Sequence, residues 1–437
     1  MSKKQFILIM TDSQRRDMIS RCNERGENMH TPCLDRLCDE GLAFNSAYTT
    51  QPVCGPARAG LFTGTYPHTN GMLGNCMALS QQSLTIGQRL SSAGIHAAYI
   101  GKWHLDGGDY FGDGICPDGW DEEYWYDMRN YLDELESDKD RERSRKLETA
   151  LEGDGIGEEF TYGYRCTKRA LDFMEKHKDE DYFLVVSYDE PHHPFLAPKS
   201  YYEPFYKPYL QKANQHMDFS KLPDHIKVWH EKYLEIQGGN GDGCAVGLLG
   251  SNSFIDSQIG RVLEGAEKNA EEALVLYTSD HGDAQGSHGI HAKGPAMYEE
   301  ITNIPFIVRW KDKIDRGISS EMPVSHIDVV PTILDFYGLP QPESLEGESL
   351  LHSLTDGDIT KKKEGRPVFV EFNRYEVDHD GWGGFQPVRC IVKGKWKLTI
   401  NLMTQDELYN LEEDADEMNN LIDDPSCEAI RNERFAP

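Results

Sequence analysis

The sequence has no long apolar run at its start. Phe6–Met10 is the longest there, against the ~20 residues of a membrane-spanning helix or the roughly 7–15 of a signal-peptide core. The chain therefore reads as soluble and leaderless, and the cytoplasm is its expected location. Its ten cysteines include no C-x-x-C pair, which argues against a zinc ribbon or a dithiol redox motif. Free thiols suit a reducing compartment. Basic residues are scarce: 45 Lys and Arg stand against 74 Asp and Glu, a formal net charge of −29. Such an excess repels nucleic acid and anionic membrane surfaces at long range, so neither is an expected partner. Internal repeats and low-complexity tracts are also missing. What remains is a chain of 437 residues, 38% hydrophobic and 27% charged, a globular composition. At about 100–200 residues per domain it has room for one large domain and a smaller one.

Five short runs read as buried parallel strands, because they are apolar without alternation. They are Phe6–Met10, Ala97–Ile100, Tyr182–Ser187, Leu274–Thr278 and Ile304–Val308. Helical punctuation falls between them. Thr31-Pro32 opens a segment that Gly41 closes, and Ser83 to Gly94 and Val329 to Gly338 repeat that grammar. Strands alternating with helices predict an α/β fold with a mostly parallel sheet, whose ligands sit outside the carboxyl ends of the strands. Polar chemistry gathers at those ends. The first strand runs into Thr11-Asp12-Ser13, the second into Gly101-Lys102-Trp103-His104, the third into Tyr188-Asp189-Glu190-Pro191-His192, and the fourth into Ser279-Asp280-His281-Gly282-Asp283. One strand ending in polar residues is ordinary. Four doing so predict one site assembled from distant segments.

Asp12, Asp280 and His281 offer two carboxylates and an imidazole, enough to hold one divalent cation. Oxygen donors favour Ca²⁺ or Mg²⁺, and the imidazole admits Mn²⁺. The most informative stretch is Gln51–Gly71. In it Cys54 precedes Gly55-Pro56-Ala57-Arg58, and Pro56 is placed to open a helix. Cys54 would then lie near a positive helix end with Arg58 one turn on, surroundings that favour anions. A cysteine-phosphatase loop would need its arginine at position 60, which is Gly60. A thiolate is moreover a soft partner for a hard cation, so an unmodified Cys54 fits the site poorly.

The string C-G-P-A-R resembles the C-x-P-x-R signature of the sulfatases, whose cysteine is oxidised after translation to formylglycine. The following LFTGTYPHTNG, together with ILIMTDSQR, GKWHL, DEPHHPF, TSDHGDAQGSHGIHAKGPAMYEE and the C-terminal WKL…DELYNLEEDADEMNNL, resembles that family in order along nearly the whole chain. The resemblance implies the alkaline phosphatase superfamily: a large α/β/α sandwich with a mostly parallel sheet, and a small C-terminal α+β domain with an antiparallel sheet. It implies Asp12, Asp280 and His281 as metal ligands together with the modified Cys54, the ion being Ca²⁺ ahead of Mg²⁺ or Mn²⁺. It also implies Arg58 and Lys102 as supports of the formylglycine, and Lys102, Lys293 and His192 as sulfate contacts. His192 would protonate the leaving group, His104 would act as the base that expels sulfate, and Asn75 would contact substrate. His193 is left out, because the H-x-P register selects His192, and His288 and His291 are read as mainly structural. One departure stands out. Many sulfatases carry two adjacent aspartates where this chain has Asp12-Ser13, which bears on metal identity and substrate class.

The expected domains are 1–340 (catalytic) and 365–437, joined by the loop-rich stretch from Leu339 to Gly365. Within the second, Pro367–Phe372, Val388–Val392 and Lys395–Ile400 read as strands and Glu417–Ile422 as a final helix. Asp106–Phe160 reads as a solvated helix, with part of a lid as the alternative. The aromatics of Tyr201–Tyr233 suit stacking on a ring face, surface packing or a subunit contact. The expected activity is hydrolysis of a small-molecule or glycan sulfate monoester (aryl, steroid or carbohydrate) to alcohol and inorganic sulfate. A formylglycine-generating maturase is an expected partner, and oligomerisation is left open. The rival readings are a phosphonate monoester hydrolase or phosphodiesterase on the same scaffold, and a non-catalytic metal- or glycan-binding protein.

Overall fold

A computed structural model describes residues 3–23, 29–107, 110–146, 157–205, 213–237, 242–355, 359 and 366–434. Eight strands enter first in chain order: β1 (Gln5–Thr11), β2 (Leu42–Phe44), β3 (Ala47–Tyr48), β4 (His96–Gly101), β5 (Tyr182–Ser187), β6 (Leu274–Ser279), β7 (Phe306–Trp310) and β8 (Ile318–Ser320). Seven of them form one sheet in the order β4-β5-β1-β6-β7-β2-β8. The four consecutive neighbours β4, β5, β1 and β6 are parallel, β4 lying at the edge. Side chains alternate across β1: Phe6, Leu8 and Met10 enter one core, Ile7 and Ile9 the other. Helices Cys54–Thr63, Ile86–Ser92 and Val329–Tyr337 cover the first face. Pro32–Glu40, Tyr162–Lys176 and the long Asp242–Asn269 cover the second. Burial on both faces is why these strands read as continuous apolar runs.

Ile304–Val308, expected as a parallel strand, begins later, at Phe306, and pairs antiparallel with β6. A parallel partner needs a crossover of about a dozen residues or more, usually a helix. Between Ser279 and Phe306 the longest helix is the four-residue Glu299–Thr302. An apolar run reports burial and not direction. The helix expected from Ser83 starts at Ile86, because Thr85 and Gln88 form a capping box. In place of one helix between Asp106 and Phe160 there are the short helices Met128–Glu134 and Asp138–Arg143, and residues 147–156 lie outside the described set. Of the aromatic stretch, Tyr202 is buried, and residues 206–212 are likewise outside the described set.

β9 (Val324–Ser325) pairs with β3 in a two-stranded ribbon. The C-terminal part forms an antiparallel sheet of β10 (Val368–Arg374), β11 (Phe385–Lys393), β12 (Trp396–Asn401) and β13 (Glu407–Asn410), joined in that order. β13 had no clear signal in the sequence. The expected helix over Glu417–Ile422 does not form. Glu417 takes a left-handed φ of 51°, Asp414 accepts from Met418 and Asn419 N–H, and Leu421 N–H is drawn to Leu408 O at 2.8 Å. Local side-chain acceptors and the sheet edge outbid helical bonds there. The sheet is tied to the main body next to Cys54. Glu371 N–H donates to Thr50 O at 2.9 Å and Asn75 N–H to Tyr375 O at 2.8 Å, while Gln51 Nε2 reaches Leu73 O at 3.0 Å and Arg374 O at 3.3 Å. Among the described residues, no helix is long and apolar enough to cross a membrane.

Candidate active site

The helix Cys54–Thr63 begins at Cys54 itself, and every residue in it is buried. Val53 precedes it in extended conformation, and Gly64, at φ 73°, ends it through a bond to Gly60 O. Cys54 thus lies at the end where unpaired N–H groups attract negative charge. Asn75 Oδ1 accepts the Gly55 N–H at 2.9 Å and fixes that first turn. Opposite it lie the carboxyl ends of β1, β4, β5 and β6. Gly101 ends β4 at φ 123°, where a Cβ would fall 1.8 Å from Ser187 O. Only glycine fits there, and the turn that follows delivers Lys102, whose N–H donates to Ser187 O at 2.8 Å.

Arg58 holds the centre. Its Nε donates to Asp280 at 2.9 Å and its Nη2 to Asp12 at 3.3 Å. Its Nη1 donates to Lys102 O at 2.6 Å and Ser187 Oγ at 2.7 Å. Lys102 Nζ lies 2.7 Å from Asp12 and 3.0 Å from Asp189. Cys54 Sγ sits 3.2 Å from His281 Nε2 and 3.8 Å from Asp12 Oδ1. Lys293 Nζ lies 2.6 Å from His192 Nε2. The expected residues Asp12, Cys54, Arg58, Lys102, His192, Asp280, His281 and Lys293 therefore meet in one buried cluster. His104, at a left-handed φ of 59°, is buried beside it, and its Nδ1 has no hydrogen-bond partner among the described residues. His193 stacks on His192 with ring centroids 3.9 Å apart, whereas His288 stacks on Tyr298.

Three residues not singled out from sequence join them. Asp189 accepts from both Lys102 and Tyr110. Tyr110 also places its hydroxyl 3.0 Å from His192 Nδ1, its ring 4.1 Å from Lys102 Nζ, and an edge contact on His104. Tyr375, whose carbonyl holds Asn75, is half-buried and feels the charge of Lys293. Asp189 stands in a strand-end string and was legible on that ground. Tyr110 comes from a charged polar stretch with no signal of its own.

Electrostatics follow from burial. Burial pushes the Asp12 carboxyl up, but Lys102 and the neighbouring cations outweigh it and hold Asp12 well below the usual range. Asp280 is pushed up to about 7, by burial and then by the charge of Asp12. Burial and Asp12 raise the Cys54 thiol, yet Lys293, Lys102 and His281 bring it down to about 7. His281 is raised to about 9: burial opposes its charge, and Asp280 and Cys54 win. His104 is driven down to about 3, by burial and then by Lys102 and Arg58, and is neutral at ordinary pH.

Donor atoms of Asp12, Cys54, Asp280 and His281 all lie within 4.8 Å of one another. His281 Nδ1–H donates to Gly282 O at 2.8 Å, so Nε2 is the nitrogen turned toward the other donors, and a metal would displace its proton. Asp280 is raised chiefly by its burial and then by Asp12, against the pull of His281 and Arg58. These residues fit a divalent cation, and the fit is poor only at sulfur. Ser13, in place of a second aspartate, donates its hydroxyl to Asp12 at 2.9 Å and its N–H to Asp280 at 3.2 Å, ordering both carboxylates.

Residues 4–339 match the family model described as Sulfatase, and residues 286–435 the one described as N-sulphoglucosamine sulphohydrolase, C-terminal. The chain belongs to the sulfatase family. It is a sulfuric ester hydrolase of the alkaline phosphatase superfamily. A curated relative, an uncharacterized sulfatase (YidJ) of Escherichia coli K12, is 43% identical over 434 residues, covering 97% of this chain and 84% of its own. Among solved structures, one in complex with its substrate D-glucosamine-2-N,6-O-disulfate matches this sulfatase with a TM-score of 0.76 at 21% identity, covering 98% of this chain and 95% of that one. A phosphonate monoester hydrolase of Agrobacterium radiobacter matches with a TM-score of 0.76 at 18% identity, covering 98% and 93%. At those identities both show a shared fold.

One buried carboxyl at the site's edge serves none of these contacts. Glu190 accepts from Gly163 N–H at 3.0 Å, while its Oε2 is buried with no hydrogen-bond partner among the described residues. Burial, then repulsion from Asp189, raises it from the ordinary 4.5 to about 8. A carboxyl raised on folding stabilises below its unfolded value and loses that contribution as pH rises through the folded one. Urea unfolding should therefore show this sulfatase losing stability between about pH 4.5 and pH 8, with Glu190→Gln flattening that slope and proving the more stable form above the window. An unchanged slope in the variant would assign the loss to other groups.

Proposed function

We propose that this sulfatase cleaves a small-molecule or glycan sulfate monoester through formylglycine generated at position 54, with one divalent ion held by Asp12, Asp280, His281 and the modified residue. The observation that carries the reading is Cys54 itself. A soft thiol sits wedged among hard-cation ligands, 3.2 Å from His281 Nε2 and 3.8 Å from Asp12 Oδ1, at a helix end flanked by buried cations. Oxidation replaces the misfit sulfur by an aldehyde, whose hydrate supplies hydroxyl oxygens for attack and for the metal. Calcium ranks ahead of magnesium and manganese, because carboxylate oxygens dominate the donor set. A maturase acting on the chain in the cytoplasm belongs to the same proposal.

The remaining side chains divide the work. Lys102 and Lys293 present Nζ to the sulfuryl oxygens and offset the charge that builds on them. His192 gives its Nδ1–H to His193 O at 2.8 Å, so Nε2 faces Lys293 Nζ at 2.6 Å. A proton can pass from that ammonium through Nε2 to the leaving oxygen. Neutral His104, with a bare ring nitrogen, takes the proton whose removal expels sulfate. Tyr110 and Asp189 keep Lys102 and His192 at these positions.

Three outcomes follow. Mass spectrometry of an active preparation should show the peptide containing Cys54 about 18 Da lighter, as –CH₂SH becomes –CHO; activity with only intact thiol there contradicts the reading. Asp280→Asn should lower both bound metal, by elemental analysis, and turnover, since the ion loses a charged ligand. Undiminished turnover in protein stripped of metal would argue against the ion. His104→Ala should release a burst of alcohol and then stall with sulfate retained on the protein, whereas His192→Ala should slow the first step, most for poor leaving groups. Each loss should be about 10²–10⁴-fold, and sulfate retained by the His192 variant alone would reverse the two roles.

A further inference from the structure

The geometry points to a second metal site, for Zn²⁺, at the opposite end of the central sheet. His96 opens β4, His177 caps the C-terminal end of helix Tyr162–Lys176, and Glu180 stands two residues before β5. Their ligand atoms all lie within 4.8 Å of one another. One carboxylate reaches both rings: Glu180 Oε2 is 3.2 Å from His96 Nδ1, and Oε1 is 3.1 Å from His177 Nδ1. With zinc–nitrogen and zinc–oxygen bonds of about 2.0–2.1 Å, ligands on a tetrahedron stand about 3.3 Å apart. The observed separations are close to that edge.

The far side of His96 fixes its tautomer. Asp121 Oδ2 lies 2.5 Å from Nε2, so that nitrogen carries hydrogen and donates it. Nδ1 is thereby turned toward Glu180 and His177. A single ion serves both imidazoles and the carboxylate, and Asp121 plays the orienting part that carboxylates play behind zinc-bound histidines. Two imidazoles and one carboxylate suit zinc better than calcium or magnesium.

The frame is built. Phe173 packs against both rings, at 5.3 Å from His96 and 4.6 Å from His177, and Tyr124 lies 5.7 Å from His177. Glu180 N–H donates to His177 O at 2.9 Å, and Gln5 Nε2 to Glu180 O at 3.2 Å, which hold the turn. The C-terminal carbonyls of the helix add negative potential at the same point. Zinc here would join β4, the helix and the entry to β5. Six strand residues, at about 3.3 Å each, separate it from the sulfate chemistry by roughly 20 Å.

The test uses the full chain, freed of transition metal on a chelating resin and then titrated with Zn²⁺ alone. The wild type should take up one more equivalent than His96→Gln and than His177→Gln, and Asp280→Asn should keep that equivalent. Asp121→Asn should weaken it about 10–100-fold with stoichiometry unchanged. Hydrolysis of an aryl sulfate should be the same in His177→Gln as in the wild type. Equal zinc uptake in the wild type and both histidine variants, or loss of the equivalent in Asp280→Asn, overturns the site. Should the variants fail to fold, zinc-edge absorption on the wild type decides alone. Two histidine nitrogens with oxygen near 2.0 Å support the site, whereas a single histidine places the ion on Asp12, Asp280 and His281, and a sulfur neighbour near 2.3 Å places it on cysteine; either of these refutes it.

Discussion

Everything at the catalytic end of this sulfatase depends on Arg58. A fully buried guanidinium is tolerable only when its donors are matched, and here they reach Asp12, Asp280, Lys102 O and Ser187 Oγ. Those acceptors come from the ends of four parallel strands. One planar fork therefore sets the relative height of β1, β4, β5 and β6 and binds the Cys54 helix against them. Lysine could not replace it, because a point charge cannot hold two carboxylates, a carbonyl and a hydroxyl in one plane.

Charge in that hub is not shared evenly. Arg58, Lys102, Lys293 and a raised His281 face Asp12, Asp189, Asp280 and the Cys54 thiol, yet Asp280 is pushed up to about 7, chiefly by its burial, while Asp12 stays low. Burial thus weighs most on one of the carboxylates that would hold a divalent ion, and an ion there would relieve it.

Legibility in the sequence followed burial. β1, β4, β5 and β6 are apolar on both faces and stood out as uninterrupted runs, and the residues after them marked the site's floor. The direction of β7 was not legible, since reversal depends on the absence of a crossover helix. β13 was hidden because ELYN alternates with little contrast, and Glu417–Ile422 carries helical composition that Asp414 and the edge of β13 override. Tyr110 could not be found from its neighbours, because it works through packing and one hydroxyl. The pairing of His96 with His177 and Glu180 crosses 80 residues and needed the fold to bring it together.

The backbone bonds from Thr50 to Glu371 and from Asn75 to Tyr375 carry a consequence for how the chain can be divided. The strip that leads into and out of the Cys54 helix is completed by the small sheet, much as an edge strand is completed by its neighbour. A fragment ending before Val368 would leave Thr50 O and the Asn75 N–H without these partners, and the Gln51 amide with Leu73 O but not Arg374 O, beside Cys54. Removing the C-terminal sheet would thus unmake the catalytic end from its rim.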